Sequence, residues 1–492
     1  MTELLFNATS IAPSSAPALV NDEAVNDLSP GARRLLNEFP SVPEIYMKQV
    51  VAPPGLAGEF VRAAMSASHR PFLKFAIPAT LATLSGIVGR RYKIDGPGSG
   101  GLALNFILAA ASGAGKSDAI KAWEGFCWAA SRQVYSNEAL MPHRVHLHDT
   151  RSIQGIMEDF IACPAAVWAN DESGALLRAI LEPKTRTDEE LRDSFNKLFD
   201  ASEHQRRFAP PKSVRLKSAG EKPILNISMS VLLALPLNEF ELPSANALNG
   251  FLARTVVIRH KGRTVNKVAH PEPRLRDHLL ARLVDLIRRA KELDDYYVFE
   301  QLDEALKQSV QINFNSVAEF HADIDEKLDK IVQQGMDDES IYTALNRVSV
   351  LAKRIAGTLA VIENPNAPTV SLEQMQWAFG YVLQNFASIL SDFDTGDIGD
   401  MASDEEEAVK RTIRDMLKKS SKWRKIGGVP KNEFRDKIKH RAPFSAFKAG
   451  KGQVITKVID DMLANGVLVV IKDPDVGTVG PRTTYFALSE TL

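Results

Sequence analysis

Apolar residues change their rhythm along the chain. Leu102 to Ala109, LALNFILA, is a nearly unbroken apolar run of the kind found in strands covered on both faces. Two more such runs follow, AAVWA from Ala165 and ILNISMSVLLA from Ile224 to Ala234, so the chain up to about residue 270 reads as α/β. Before the first run, FVRAAM and KFAIPATLATLSGIV carry a helical pattern ending at the basic GRRYKI. Between Pro271 and Asp400 the period becomes 3.6. Ile341, Leu345, Val348, Leu351, Ile355, Leu359 and Ile362 step by three or four and share one face of a long helix, and Leu275, Leu279, Leu283, Leu286 and the segment from Ser371 to Phe393 have the same spacing. This block reads as all-helical. Residues 1–54 hold Pro-, Ser- and Ala-rich stretches that cannot bury much apolar surface and read as a flexible or draped arm.

The acidic, Gly-bearing DFDTGDIGDMASDEEE marks a hinge into a last domain. There a helix (EEEAVKRTIRDMLKK), a second (KNEFRDKIKH), a third (GKGQVITKVIDDMLANG) and a hairpin (VLVVIKD to PRTTYFAL) follow the order of a winged helix-turn-helix. The expected domains are therefore the arm 1–54, an α/β core 55–270, a helical lid 271–400 and a winged helix 401–492. A length of 492 residues fits about three folded domains. No repeat of fixed period is visible.

Charge refines the picture. Sixty Lys and Arg against 61 Asp and Glu exclude a wholly basic binder, so attraction to nucleic acid must come from local patches. From Lys410 to Lys457 there are 16 Lys and Arg against three acids. If the domain binds duplex DNA, the third helix lies in the major groove, Lys448, Lys451 and Lys457 meet phosphates, and Arg482 in the wing reaches the adjacent backbone. A solvated face or a partner-docking surface are the alternatives. A second basic stretch, HQRRFAPPKSVRLKSAGEK, offers Arg206, Arg207, Lys212 and Arg215 to a single strand, with Phe208 for stacking; an ordinary exposed loop is the alternative. The two cysteines, Cys127 and Cys163, supply no disulfide framework. The start MTELLFNATS lacks a basic segment followed by an apolar run, and Phe75 to Val88 is too short to span a bilayer, so a cytoplasmic protein without membrane contact is expected. His143, His146 and His148 alternate as along a strand and read as structural.

The chemistry sits after the first apolar run. Ala110-Ala-Ser-Gly-Ala-Gly-Lys116-Ser117 joins that strand to a helix through Ile120, Trp123 and Phe126. The backbone N–H groups of Ser112, Gly113, Ala114 and Gly115 can cradle a triphosphate, Lys116 can reach its outer phosphates and the Ser117 hydroxyl can ligate Mg²⁺. Ala110 stands where the first Gly of GxxxxGK[ST] usually does. About fifty residues on, the run AAVWAN ends in Asp171-Glu172. Asp171 would hold Mg²⁺ and Glu172 would polarise the attacking water of ATP hydrolysis. On the third run a polar residue could sense the γ-phosphate: Asn226, Ser228 or Ser230, with Ser230 chosen. Arg254, in ALNGFLARTVVI, could project into a neighbouring subunit's nucleotide.

Taken together, FAIPATLATLSGIVGRRY, NFILAAASGAGKS, DTRSIQGIMEDF, NDESG and NGFLAR resemble a group of bacterial, phage and plasmid P-loop ATPases described as primase-helicase or replication proteins. The resemblance covers roughly residues 56 to 393. The order of parts is also similar to the minichromosome-maintenance branch of AAA+ helicases. The resemblance implies an AAA+/RecA-like P-loop core, ATP and Mg²⁺ as cofactors, and Arg254 as a finger with Arg347 as a second, lid-borne sensor. It further implies a homo-oligomeric ring, expected as a hexamer, with single-stranded DNA in its pore and duplex at the winged helix. Primase or other replication proteins are the expected partners. The function expected is a DNA motor, a replicative helicase or initiator of a phage, plasmid or integrated element. An ATP-switched scaffold or loader, as in a defence system, is the alternative.

Overall fold

The computed structural model describes residues 20–21, 28–94, 100–135, 165–201, 207–208, 224–225, 228–240, 250–262, 265–292, 309–333, 339–394, 401–441, 444, 451–464, 467–472 and 484–489. The chain divides into two compact units, with the boundary in the C-terminal part between Ser391 and Asp392.

The first unit is built on a four-stranded parallel sheet of β1 (Asn105–Ala110), β2 (Ala165–Asn170), β3 (Ser228–Pro236) and β4 (Thr255–His260), in the order β2-β3-β1-β4. β1, the first apolar run, is wholly buried, as a strand with helices on both faces must be. Successive residues of β2 show the two faces. Val167 lies against Gly86 of one helical layer, while Trp168 stacks on Phe195 of the other at 5.1 Å between ring centroids.

Helices α1 (Gly55–Ser66) and α2 (Leu73–Val88) pack together, and α2 runs against β2 and β3. α2 is buried along almost its whole length, which explains its apolar composition: it is the central core helix. Among the described residues no helix is long and apolar enough to cross a membrane. The helix after β1 is α3 (Lys116–Ser131); α4 (Gly174–Leu181) and α5 (Arg186–Ala201) follow β2.

Four further helices, α6 (Asp277–Lys291), α7 (Ala318–Gln333), α8 (Glu339–Glu363) and α9 (Leu372–Asp394), occupy the block expected to be a lid. They share the first unit's core: α6 packs on α2 and α3, and α8 packs on α1 and α2. Nor is the block all-helical. Val310–Ile312 forms a short strand parallel to Tyr92–Ile94, because Val310, Ile312 and Phe314 alternate with polar residues over a stretch too short to interrupt the helical rhythm around it.

From residue 28 onward the expected arm is draped, not flexible. Ser29 caps the helix Pro30–Asn37, and Leu35, Leu36, Phe39, Val42 and Met47 enter the main core. Phe39 meets Phe379 of α9 edge-on at 5.1 Å. The apolar residues that do this are spaced widely among prolines, so composition hides them. The run from Ile224 to Ala234 also divides: Ile224–Leu225 pairs with Arg207–Phe208 as a small antiparallel ladder, and β3 begins at Ser228.

The second unit has its own core around Val409, Ile413, Phe434, Ile459, Met462 and Phe486. It comprises α10 (Met401–Lys419), α11 (Ser421–Ile426), β5 (Val429–Pro430), α12 (Lys431–Ile438), α13 (Lys451–Ala464), β6 (Leu468–Lys472) and β7 (Thr484–Leu488). The strands form an antiparallel sheet in the order β5-β7-β6.

Candidate functional site

The glycine-bearing loop leaves β1 at Ala110 and enters α3 at Lys116, so its backbone N–H groups and the positive end of a 16-residue helix face the same space. Two glycines make the turn. Gly113 (φ 75°) and Gly115 (φ 99°) are both left-handed. A Cβ on Gly115 would also come within 2.8 Å of the Arg70 Cβ and 2.9 Å of its carbonyl oxygen. Arg70 is thus a wall of the loop that the motif does not announce. Its backbone N–H donates to Asp118 Oδ2 (3.0 Å) and its guanidinium to the Val265 carbonyl (2.7 Å), tying the segment after α1 to the one after β4.

Lys116 is only 7% exposed. Its Nζ donates to the carbonyls of Ala110 (2.7 Å) and Ala111 (3.0 Å), and burial pushes its pKa down. A buried ammonium held on backbone carbonyls is a cation prepared for an anion. These residues therefore fit a nucleotide phosphate. Ser112 and Gly113 are exposed, Ala114 is buried and Ser117 is half-buried beside Lys116.

Asp171 and Glu172 follow β2, whose register sets Asn170 beside Leu233 of β3 and hence level with Ile107 of β1. The acids therefore leave the sheet at the same edge as the loop, two strands or roughly 10 Å away. Their turn is fixed by hydrogen bonds. Glu172 N donates to Asn170 Oδ1 (2.9 Å), Ser173 Oγ to the Asn170 carbonyl (2.8 Å) and Ser173 N to the Ala234 carbonyl (3.0 Å). A Cβ on Gly174 would collide with the Glu239 carboxylate, which accounts for the glycine after Asp-Glu-Ser. Glu172 is exposed and Asp171 half-buried. Asp171 faces α3: burial raises the pKa of Glu124, Lys121 offsets this, and the Asp171 charge raises it further. Among the described residues no group of three His, Cys, Asp or Glu is placed to hold a metal ion.

Ser230 is not at this edge, and its assignment as a phosphate sensor is corrected. It pairs with Val167, and its neighbour Val231 pairs with Asn105 at the opposite end of β1. Six residues of strand, roughly 20 Å, separate it from Pro236 beside Ala110. Its hydroxyl is fully buried, 2.8 Å from Ser85 Oγ and accepting from Leu104 N (3.1 Å). Ser228 lies still further back, opposite Ala165. The turn Leu237–Glu239 that follows β3 lies at the loop's level instead.

Arg254 closes a 3-10 turn immediately before β4, whose first residue, Thr255, is level with Asn105. Five residues of strand separate this position from the loop level, so Arg254 cannot reach the phosphate loop of its own chain. Its guanidinium forks onto Asp200 of α5 (Nε to Oδ1 3.3 Å, Nη2 to Oδ2 3.1 Å) and donates to the Gly250 carbonyl (3.0 Å). Arg347 is half-buried on α8, which packs against this same turn, with Ala344, Val348 and Leu351 facing Leu252 and Ala253 across a small apolar cavity. The two arginines thus share the edge remote from the loop. Seven residues further along α8, Arg354 is almost fully buried, donating to the Ala103 carbonyl (3.0 Å) with its guanidinium 3.8 Å from the Phe199 ring centroid.

Of the expected DNA contacts, Lys457 is exposed on α13, Lys451 begins that helix and Arg207 lies in the short ladder with Leu225. Arg206, Lys212, Arg215, Lys448 and Arg482 lie outside the described residues, as do Asn226, the three alternating histidines and Cys163. Cys127 is buried, which pushes its thiol up to about 12. No protein-family model matches the chain, and no curated protein matches it in sequence.

Proposed function

We propose that the chain is an ATP-driven DNA motor of the P-loop AAA+/RecA-like class, a replicative helicase or replication initiator of a phage, plasmid or integrated element. One observation carries this reading: the loop holding Lys116 and the turn holding Asp171 and Glu172 leave the sheet at one edge, two strands apart. ATP phosphates would lie on the loop amides and the α3 N-terminus, and Lys116 would exchange its two carbonyls for the outer phosphates. Ser117 and Asp171 would hold Mg²⁺, which when bound neutralises charge on the β- and γ-phosphate oxygens. Glu172, exposed on a fixed turn, would orient and polarise the attacking water.

Arg254 would act on a neighbouring subunit, since its own loop is beyond reach, and Arg347 would face the same interface. This is the support for a ring, with a hexamer as the expected form. The four helices and antiparallel sheet of the second unit support a winged helix that holds duplex, and the basic segment around Arg206 to Arg215 would follow a single strand. Strand displacement on a forked duplex with ATP tests the reading. ATP hydrolysis that DNA does not stimulate, with no displacement, would instead indicate an ATP-switched scaffold.

A further inference from the structure

We propose that the anion-binding surface of the second unit is the corner between α10 and α11, Lys418 to Lys425, and that it grips nucleic-acid phosphates without reading bases. The proposal rests on the reading of the chain as a protein that acts on DNA, and moves the point of contact away from the third helix.

The corner carries Lys418, Lys419, Lys422, Arg424 and Lys425, all exposed, and no acid occurs between Met416 and Asn432. Two lysines would suffice to complement the negative end of α10, which is worth about half a charge. Arg424 already sits on the carbonyls of Leu417 and Lys418 at that end, so the four lysines exceed the need. The nearby carboxylate of Asp415 is hydrogen-bonded to Arg441 at 2.7 Å, which holds that acid below the usual range; Lys418 and Lys419 add to the effect only through space, and one shared acid leaves the corner with a large positive excess. The corner is also stiff. Arg424 donates to the carbonyls of Lys418 (2.7 Å) and Leu417 (3.4 Å), Ser420 accepts from Trp423 N (3.4 Å), and Gly427 closes α11 with φ 73°. Fixed backbone holds the charges in one place, so less is lost in ordering them on a phosphate backbone.

The third helix, α13, lacks this character. Among its described side chains Gln453, Lys457 and Asp460 are exposed, and by sequence its two lysines are matched in number by Asp460 and Asp461. At the end of α12 the Lys439 ammonium pairs with Asp436 at 3.0 Å. The corner in turn has no Asn, Gln or carboxylate to read a base edge, and its arginine is committed to carbonyls. Contacts of this composition position a duplex and do not specify its sequence.

The test uses the full chain without nucleotide. Lys418→Gln, Lys419→Gln, Lys422→Gln and Lys425→Gln are combined, and affinity for two unrelated labelled duplexes is measured across a salt series beside Lys457→Gln and a variant with the same four lysines changed to Arg. The neutralised corner should lower the slope of log affinity against log salt by about 3 to 4 and weaken both duplexes equally; the Arg variant should bind as the parent does. Unchanged melting temperatures confirm folding. Parental binding by the neutralised corner, or an equal loss from Lys457→Gln alone, overturns the proposal. If the parent binds no DNA, the proposal falls together with the DNA-acting reading. If the parent's ATP turnover is DNA-stimulated and the corner variant still binds, only the corner fails.

Discussion

Arg254 and Asp200 form a two-pronged ion pair, with Nε and Nη2 at 3.3 and 3.1 Å from the two carboxylate oxygens, and both side chains are largely sheltered from solvent. The pair lies at the sheet edge opposite the phosphate loop. A role in phosphoryl transfer is open to this arginine only across a subunit boundary. If Arg254 serves a neighbour's site as proposed, Arg254→Ala should keep ATP affinity and lose hydrolysis. Mixing Arg254→Ala with Lys116→Ala chains should restore measurable turnover, because arginines supplied in trans contribute on the order of 10³–10⁵. A mixture that co-assembles and stays inactive would rule out the shared site.

Glu172→Gln keeps the Asn170 turn, which uses the Glu172 backbone N–H, and removes only the side-chain carboxylate proposed as the base. Nucleotide affinity should stay near the parental value while turnover drops about 10²–10⁴-fold. Isothermal titration and a phosphate-release assay check both halves. Parental turnover would remove Glu172 from the chemistry.

Gly115→Ala should damage the loop from two directions, a left-handed backbone that costs an alanine about 1–2 kcal/mol and a clash with Arg70. The melting temperature should fall and nucleotide affinity with it. Gly113→Ala meets open space, so it carries the backbone cost alone and should be milder. Equal effects would mean that Arg70 gives way.

Lys116→Met separates stability from function. Burial lowers the lysine's pKa, so the folded protein sheds this proton more readily than the unfolded chain, and stability from this group rises as pH climbs toward the ordinary lysine value of 10.5. Removing the charge should leave the nucleotide-free protein at least as stable at neutral pH. Stabilisation by ATP, about 2.7 kcal/mol at a hundredfold excess over the dissociation constant, should disappear. Thermal melts with and without ATP measure both.

Removing residues 404–492 should preserve basal ATP turnover and weaken duplex binding, because the two units have separate cores. Duplex affinity that survives the truncation across a salt series would place the contact in the first unit.

The sequence made the loop and the Asp-Glu turn legible because each is a local pattern, polar chemistry placed directly at the end of an apolar run. Ser230 failed for the opposite reason. Its level in the sheet depends on β3 pairing with β1 and β2, and a run of eleven residues does not reveal which end meets the loop. The draped segment from Leu28 was hidden by its prolines, although Phe39 and Val42 are fully enclosed. Charge counting found the basic C-terminal stretch. It could not say that Arg441 is spent on Asp415 while Lys418 to Lys425 stand in solvent, since that depends on which helix faces meet.

The central claim is that Lys116, Asp171 and Glu172 form one ATP-hydrolysing site serving a DNA motor. The most direct measurement is steady-state ATP turnover by the purified full chain with Mg²⁺, in the presence and absence of single-stranded DNA, beside Lys116→Ala and Glu172→Gln. Turnover that DNA raises and that both substitutions abolish is the result expected. A folded protein that hydrolyses no ATP under either condition, or whose turnover survives Lys116→Ala, would contradict the claim.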